Sequence, residues 1–185
     1  LTRLSGMNKA TVYRMLSELQ AAGMVEQAGP DRAYRLGAEV LRLAALREAA
    51  VPVLSVSRSV LEDLCEATGE TAHMSLLQGV QLSTLTHAYS ARHATRVMME
   101  DAEVLAFHAT ASGLAVLGFA TPDFVDDILS APLHQHTEIT QTDPQAVRDA
   151  LETVRSTGIA ESVGQFETDV HSHAVPIFDA ASAPL

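Results

Sequence analysis

The residues of this chain closest to metal chemistry are two histidine pairs, His134-Gln135-His136 and His171-Ser172-His173. On a strand, residues i and i+2 point to the same side, so either pair could chelate a divalent ion. Neither pair has a cysteine nearby or an open catalytic constellation, and loop histidines are common without an ion. The expectation is therefore no metal site and no cofactor, with a histidine-based metal-dependent enzyme or metal sensor as the alternative. Other catalytic chemistry has less support. There is no P-loop, GxGxxG, GxSxG or HExxH pattern, and no pair of acidic groups has a motif assigning it acid and base roles. The chain is expected not to be an enzyme. Binding chemistry is better represented. Thr110-Ala111-Ser112-Gly113 opens a helix with small residues, whose free N–H groups could meet a ligand closely and favour a carboxylate. Tight packing of that helix on a sheet accounts for the same small residues equally well. Near the start of the chain, Lys9, Ala10, Tyr13, Arg14 and Ser17 share one helix face. Cations there could bind phosphates or guanine edges and hydroxyls could bind phosphate oxygens, although a solvated helix face has the same composition.

These groups need elements to position them. Asn8 is a suitable N-cap for a helix over residues 9–22, with Val12, Met15, Leu16 and Leu19 as its apolar stripe and Gly23 as its stop. Leu1, Leu4 and Met7 around Ser5-Gly6 read as a helix end and a tight turn, which completes a helix-turn-helix. Residues 24–27 and 33–36 read as two strands joined by Gly29-Pro30-Asp31-Arg32, a wing. A helix from Gly37 to about Ala50, with Val40, Leu41, Ala44 and Leu46 on its apolar side, links head to body. After a break at Val51-Pro52, a helix over 54–68 turns Val60, Leu61, Leu64 and Cys65 inward. Strands at 71–77 and 80–89 follow, separated by Gln78-Gly79. Thr121-Pro122 and Asp143-Pro144 start two helices. Val147, Ala150, Leu151 and Val154 form the stripe of the second, and Gly158 ends it. Strands at 159–166 and 173–178 complete an α+β body.

Composition agrees with a division into two regions. The chain has 185 residues, 47% of them apolar, enough for a packed core, and a net charge of −11. Residues 1–47 carry seven basic and four acidic side chains, net +3, while residues 48–185 carry five basic and 19 acidic, net −14. A whole surface coating nucleic acid or anionic lipid is excluded, and a basic head on an acidic body implies different partners for each. The single Cys65 allows no intrachain disulfide and is expected to be a buried, inert thiol in a reducing, cytoplasmic setting. Residues 71–91 and 104–122 lack charge, but polar residues interrupt both and acids bracket the second. Neither reads as a membrane span.

The run from Leu4-Ser5-Gly6-Met7-Asn8-Lys9 through Ala10-Thr11-Val12-Tyr13-Arg14-Met15-Leu16, with Leu19, Gly23-Met24-Val25 and Tyr34-Arg35-Leu36-Gly37, resembles the DNA-binding head of IclR-type transcriptional regulators. Later segments agree in order: Leu61-Glu62-Asp63-Leu64 with Thr68-Gly69-Glu70-Thr71, then residues 107–117, then Val175-Pro176-Ile177-Phe178-Asp179. The resemblance implies three parts: an N-terminally truncated winged helix-turn-helix at 1–37, a linker helix at 38–50 and a GAF-like effector-binding domain at 51–185. That last domain would have a mainly antiparallel sheet and lack its C-terminal end. It implies double-stranded operator DNA as a partner, met by Asn8, Lys9, Ala10, Thr11, Tyr13, Arg14, Ser17 and Arg32. It implies a small organic effector, held by Ala111, Ser112 and Gly113, by apolar Val97 and Leu105, and by Ser162, Val170 and Ser172 opposite. Arg96 could pair with an effector carboxylate or with nearby acids. A homodimer or homotetramer is expected. One departure is Leu114, where the family often has Lys, which alters the local electrostatics of the pocket wall.

Overall fold

The computed structural model describes residues 1–90, 92 and 102–184. The chain forms two compact units, Leu1–Val56 and Ser57–Leu185, with the division inside a helix. Among the described residues no helix is long and apolar enough to cross a membrane.

In the first unit, α1 (Thr2–Ser5) ends at Gly6 and α2 (Lys9–Ala21) begins at Asn8, whose side chain accepts the Thr11 amide at 2.9 Å. This cap satisfies one of the amides that a helix start leaves without a partner. β1 (Val25–Ala28) and β2 (Ala33–Leu36) pair antiparallel as the wing, and α3 (Ala38–Ala50) follows. The predicted burial of the α2 stripe is only partly realised. Val12 is buried and Leu16 half-buried, but Met15 and Leu19 are exposed. Within this unit α2 packs mainly against β1, which covers one edge of the stripe. In α3 no residue is buried, and Leu41 is 75% exposed. The expected Val51-Pro52 break is present, and Glu48 bridges it. Its carboxylate accepts the Leu54 and Ser55 amides at 3.0 and 2.9 Å, capping α4 (Val53–Thr68) from the previous helix. Those two backbone hydrogen bonds hold the Glu48 carboxyl below the usual range.

In the second unit Leu61 and Cys65 of α4 are buried with Ser57, while Val60 and Leu64 are exposed, a correction to the predicted stripe. Residues i, i+4 and i+8 form the inward line, and the i+3 positions fall beside it. β3 (Ala72–Gln78) and β4 (Gln81–Ala88) form a hairpin with a register shift between Met74 and Ser75. α5 (Ala111–Phe119), α6 (Pro122–Ser130) and α7 (Pro144–Thr157) follow, and the last two start on the expected Thr121 and Asp143 caps. Val147, Leu151 and Val154 of α7 are buried, whereas Ala150 is exposed. β5 (Ala160–Val163) and β6 (His171–Ala174) form the last hairpin. Both are shorter than predicted. Gly164 turns the chain after Val163, and beyond Ala174 comes Pro176, which has no N–H to donate to a ladder.

α5 lies at the centre of this unit. Seven of its nine residues are buried, against α7, β5 and β6. Two glycines permit the close approach. A Cβ at Gly118 would lie 2.7 Å from Val154 Cγ1, and one at Gly113 would lie 2.4 Å from the Phe107 backbone. Leu117 is fully buried in the cluster with Leu82, Leu114, Leu151 and Val154. Replacing it by alanine should cost about 2–5 kcal/mol in urea unfolding, because core truncation leaves a cavity. Leu41→Ala, on the exposed face of α3, should stay within about 0.5 kcal/mol.

Candidate functional site

Two places gather the polar groups expected to act. On α2 the residues Lys9, Ala10, Tyr13, Arg14 and Ser17 are all exposed, and Lys9 and Arg14 enter no ion pair among the described residues. Ser17 donates to the Tyr13 carbonyl at 3.0 Å, Thr11 is half-buried, and the Asn8 side chain serves as the cap. Two free cations with a tyrosine therefore remain facing solvent. On the wing, Arg32 sits at the tip with a left-handed φ of 51°, held by paired hydrogen bonds with Gln27. Arg35 is neutralised by Glu26 across the wing at 2.6 Å, a pairing set by strand register. Separate cations on a capped helix can reach phosphates and base edges in a groove.

The second place is the start of α5. Thr110 caps the helix, its hydroxyl accepting the Gly113 amide at 3.0 Å. The Gly113 position thus serves packing on Phe107, and its amide is used internally. Ala111 is buried, and Ser112 is the partly exposed residue of this turn. Its hydroxyl lies 3.2 Å from His73 Nε2 on β3. His73 is paired across the hairpin with His87, Ser75 with Thr84, and Leu77 with Leu82. These six residues occupy one face of the hairpin, and Leu77 and Leu82 join the α5 core at its far end. Ala72, Met74 and Ala88 on the other face join Leu61 and Cys65 of α4. The Ser75 and Thr84 hydroxyls are buried and have no hydrogen-bond partner among the described residues. Burying unpaired hydroxyls costs free energy, so water or a polar ligand is their natural complement.

The remaining expected residues are more scattered. Ser162 is buried and donates to the Ala109 carbonyl at 2.8 Å, tying β5 to the segment before Thr110. Ser172 pairs with Ser162 across the hairpin. Val170 receives the Gly164 amide at its carbonyl and closes the β5–β6 turn. Leu105 belongs to the core, beside Leu82, to whose carbonyl its amide donates. Val97 and Arg96 lie outside the described residues. Sequence reasoning missed His73, Ser75, Thr84 and His87. Strict alternation puts Thr84 and His87 on opposite faces of β4, and only the register shift brings them together. Two open clefts, of about 580 and 250 Å³, are lined around His136–Ile139 and, for the smaller, by Leu82 of the same hairpin face with the expected Leu105 and with His134. Ser112 borders neither. The paired histidines and unpartnered hydroxyls make the hairpin face the better-built polar site. His108 is buried, with Nε2 2.9 Å from the His134 carbonyl.

The sequence matches two family descriptions: "IclR helix-turn-helix domain" over residues 1–29 and "Bacterial transcriptional regulator IclR C-terminal" over residues 46–185. It is 30% identical over 177 residues to the HTH-type transcriptional regulator BhcR of Paracoccus denitrificans, covering 95% of this chain and 63% of that protein. The chain thus spans under two thirds of the length of that relative. A crystal structure of an IclR-type regulator from Silicibacter sp. TM1040 matches with a TM-score of 0.96 and 66% identity, over 100% of this chain and 72% of that one. An IclR homologue from Microbacterium hydrocarbonoxydans, in complex with 4-hydroxybenzoate, matches with a TM-score of 0.78 and 26% identity, over 99% and 75% of the two chains.

The His73 imidazole is held below its ordinary range, first by burial and then by the neighbouring His87. The unfolded chain therefore binds the proton more readily than the folded one. Stability is complete above about pH 6.5, the ordinary imidazole value, and falls as pH drops below it. Urea unfolding across pH 5–7.5 should follow that slope, and His73→Gln should flatten it.

Proposed function

Because this chain belongs to the IclR family of bacterial transcriptional regulators, we propose that it is the operator-binding head and sensor domain of a ligand-responsive regulator. The observation that carries the reading is the exposed α2 face, where Lys9 and Arg14 stand free beside the wing on a helix fixed by the Asn8 cap. The protein acts in the cytoplasm as a homodimer or homotetramer on double-stranded DNA. It is not an enzyme and needs no cofactor. Exposed Leu43 and Leu46, three residues apart on the same face of α3, support self-association, since neighbouring apolar side chains are best covered by another surface.

The effector is a small organic carboxylate, received at the start of α5 beside Ser112 and His73, whose mutual hydrogen bond it would share or replace. The helix terminus attracts an anion, the Ser112 hydroxyl and the histidines supply donors, and the Ser75 and Thr84 hydroxyls await partners. The 4-hydroxybenzoate held by the Microbacterium homologue is a ligand of this chemical class. Effector binding and operator binding are linked, so each changes the affinity of the other by the same factor.

Two measurements test this. In binding to an operator selected from random duplexes, Arg14→Ala should cost about 1–3 kcal/mol if Arg14 reads a base. Unchanged affinity in a folded Lys9→Ala, Arg14→Ala variant would remove α2 from the interface. At the sensor, Ser112→Phe should abolish the thermal shift given by a responsive carboxylate while operator affinity and melting temperature hold. If the residue serves packing alone, the same variant loses about 1–3 kcal/mol of stability and keeps its response.

A further inference from the structure

The two histidine pairs fare differently once folded. The rings of His134 and His136 stand perpendicular, with centroids 4.9 Å apart, and His136 lies tilted against Phe166. The rings of His171 and His173 lie side by side on β6, 4.8 Å apart and tilted by 37°. Both belong to the outer face of the β5–β6 hairpin, because Ala160, Ser162, Ser172 and Ala174 take the inner one. Register adds a third group. Glu161 on β5 is paired directly with His173, and His171 is its diagonal neighbour. A Glu161 carboxylate oxygen lies 2.7 Å from His171 Nε2 and 3.5 Å from His173 Nε2. One donor atom from each of the three residues lies within 4.8 Å of the others.

We propose that Glu161, His171 and His173 form a binding site for a divalent transition-metal ion, zinc by preference, on the solvent face of the β5–β6 hairpin. Two imidazoles and a carboxylate are a borderline-soft set without sulfur, suited to Zn²⁺ and its neighbours rather than to Mg²⁺ or Ca²⁺. Tetrahedral zinc with bonds of about 2.0–2.2 Å needs donors about 3.4 Å apart. Each side chain is more than half exposed and free to rotate over the short distance required. With three protein ligands, the fourth position is left to water. The carboxylate cancels part of the ionic charge, and residues 48–185, at net −14, make the surroundings favourable to a cation. Ligands on both strands would make the ion a cross-strand clasp. On the inner side of the same strand pair, Ser162 holds the Ala109 carbonyl just before the α5 cap. From spacing alone, which led to the expectation of no metal site, the histidine pair is visible but Glu161 is not.

The test is a titration of chelator-treated protein with Zn²⁺ by calorimetry, repeated with Co²⁺ to read coordination from its visible absorption. One equivalent should bind, with the intense bands of a four-coordinate ion and a rise in melting temperature. The exposed positions tolerate substitution, and circular dichroism checks the fold of each variant. Glu161→Gln and His173→Ala should each weaken binding at least tenfold, while His134→Ala should leave it unchanged. Absence of a stoichiometric site in the parent protein would overturn the assignment. So would a loss of less than tenfold in both hairpin variants, or a loss of binding in His134→Ala.

Discussion

The burial of α5 is the constraint from which the second unit is organised. An uncharged helix with seven of nine residues buried has no polar side of its own, so every neighbour must present it an apolar surface. α7 does so with Val147, Leu151 and Val154, the hairpin β3–β4 with Leu77 and Leu82, and β5–β6 with Ala160 and Ala174. Glycine at 113 and 118 lets backbone and side chains come closer than a Cβ would allow. What the helix gains by this is a fixed origin. Its first turn is locked by the Thr110 cap and by the Ser162 bond to Ala109, so Ser112 is delivered to one place opposite His73.

A polar site beside a dry core depends on graded burial. Along one face of β3–β4 the residues pass from leucines at the hairpin end, through Ser75 and Thr84, to the two histidines. The apolar end anchors the strands, and the polar end carries the cost of incompletely paired groups. Native structures tolerate such a cost where a ligand or ordered water complements it. A low imidazole pKa at His73 fits this setting, because a charged ring would be poorly solvated there.

Charge is segregated along the chain as clearly as polarity is within the body. The head is net positive and the remainder strongly negative, so attraction to phosphate is confined to the element that carries Lys9 and Arg14. The body's acidity instead favours cations, and β5–β6 shows how one short hairpin divides its work between two faces. Ser162 and Ser172 point inward to the helix, while Glu161, His171 and His173 point outward. The strand period of two makes this separation automatic.

Much of this architecture was legible in the residues. Caps at Asn8, Thr121 and Asp143 and the stop at Gly158 depend on near neighbours in the chain and are found as read, as is the 3.6-residue stripe of α7 apart from Ala150. The exposed cations of α2 follow from the same local periodicity. Contacts between distant segments were not legible. Burial of Leu61 but not Leu64, the exposure of Met15 and Ala150, and the early end of β6 depend on which surfaces meet. The alignment of Thr84 with His87 needed a register shift, and the approach of Glu161 to two histidines ten and twelve positions away needed a strand pairing. Local sequence determines helix and turn because their hydrogen bonds close within a few residues. Register and facing are decided by packing, whose free energy is shared among groups far apart in the chain.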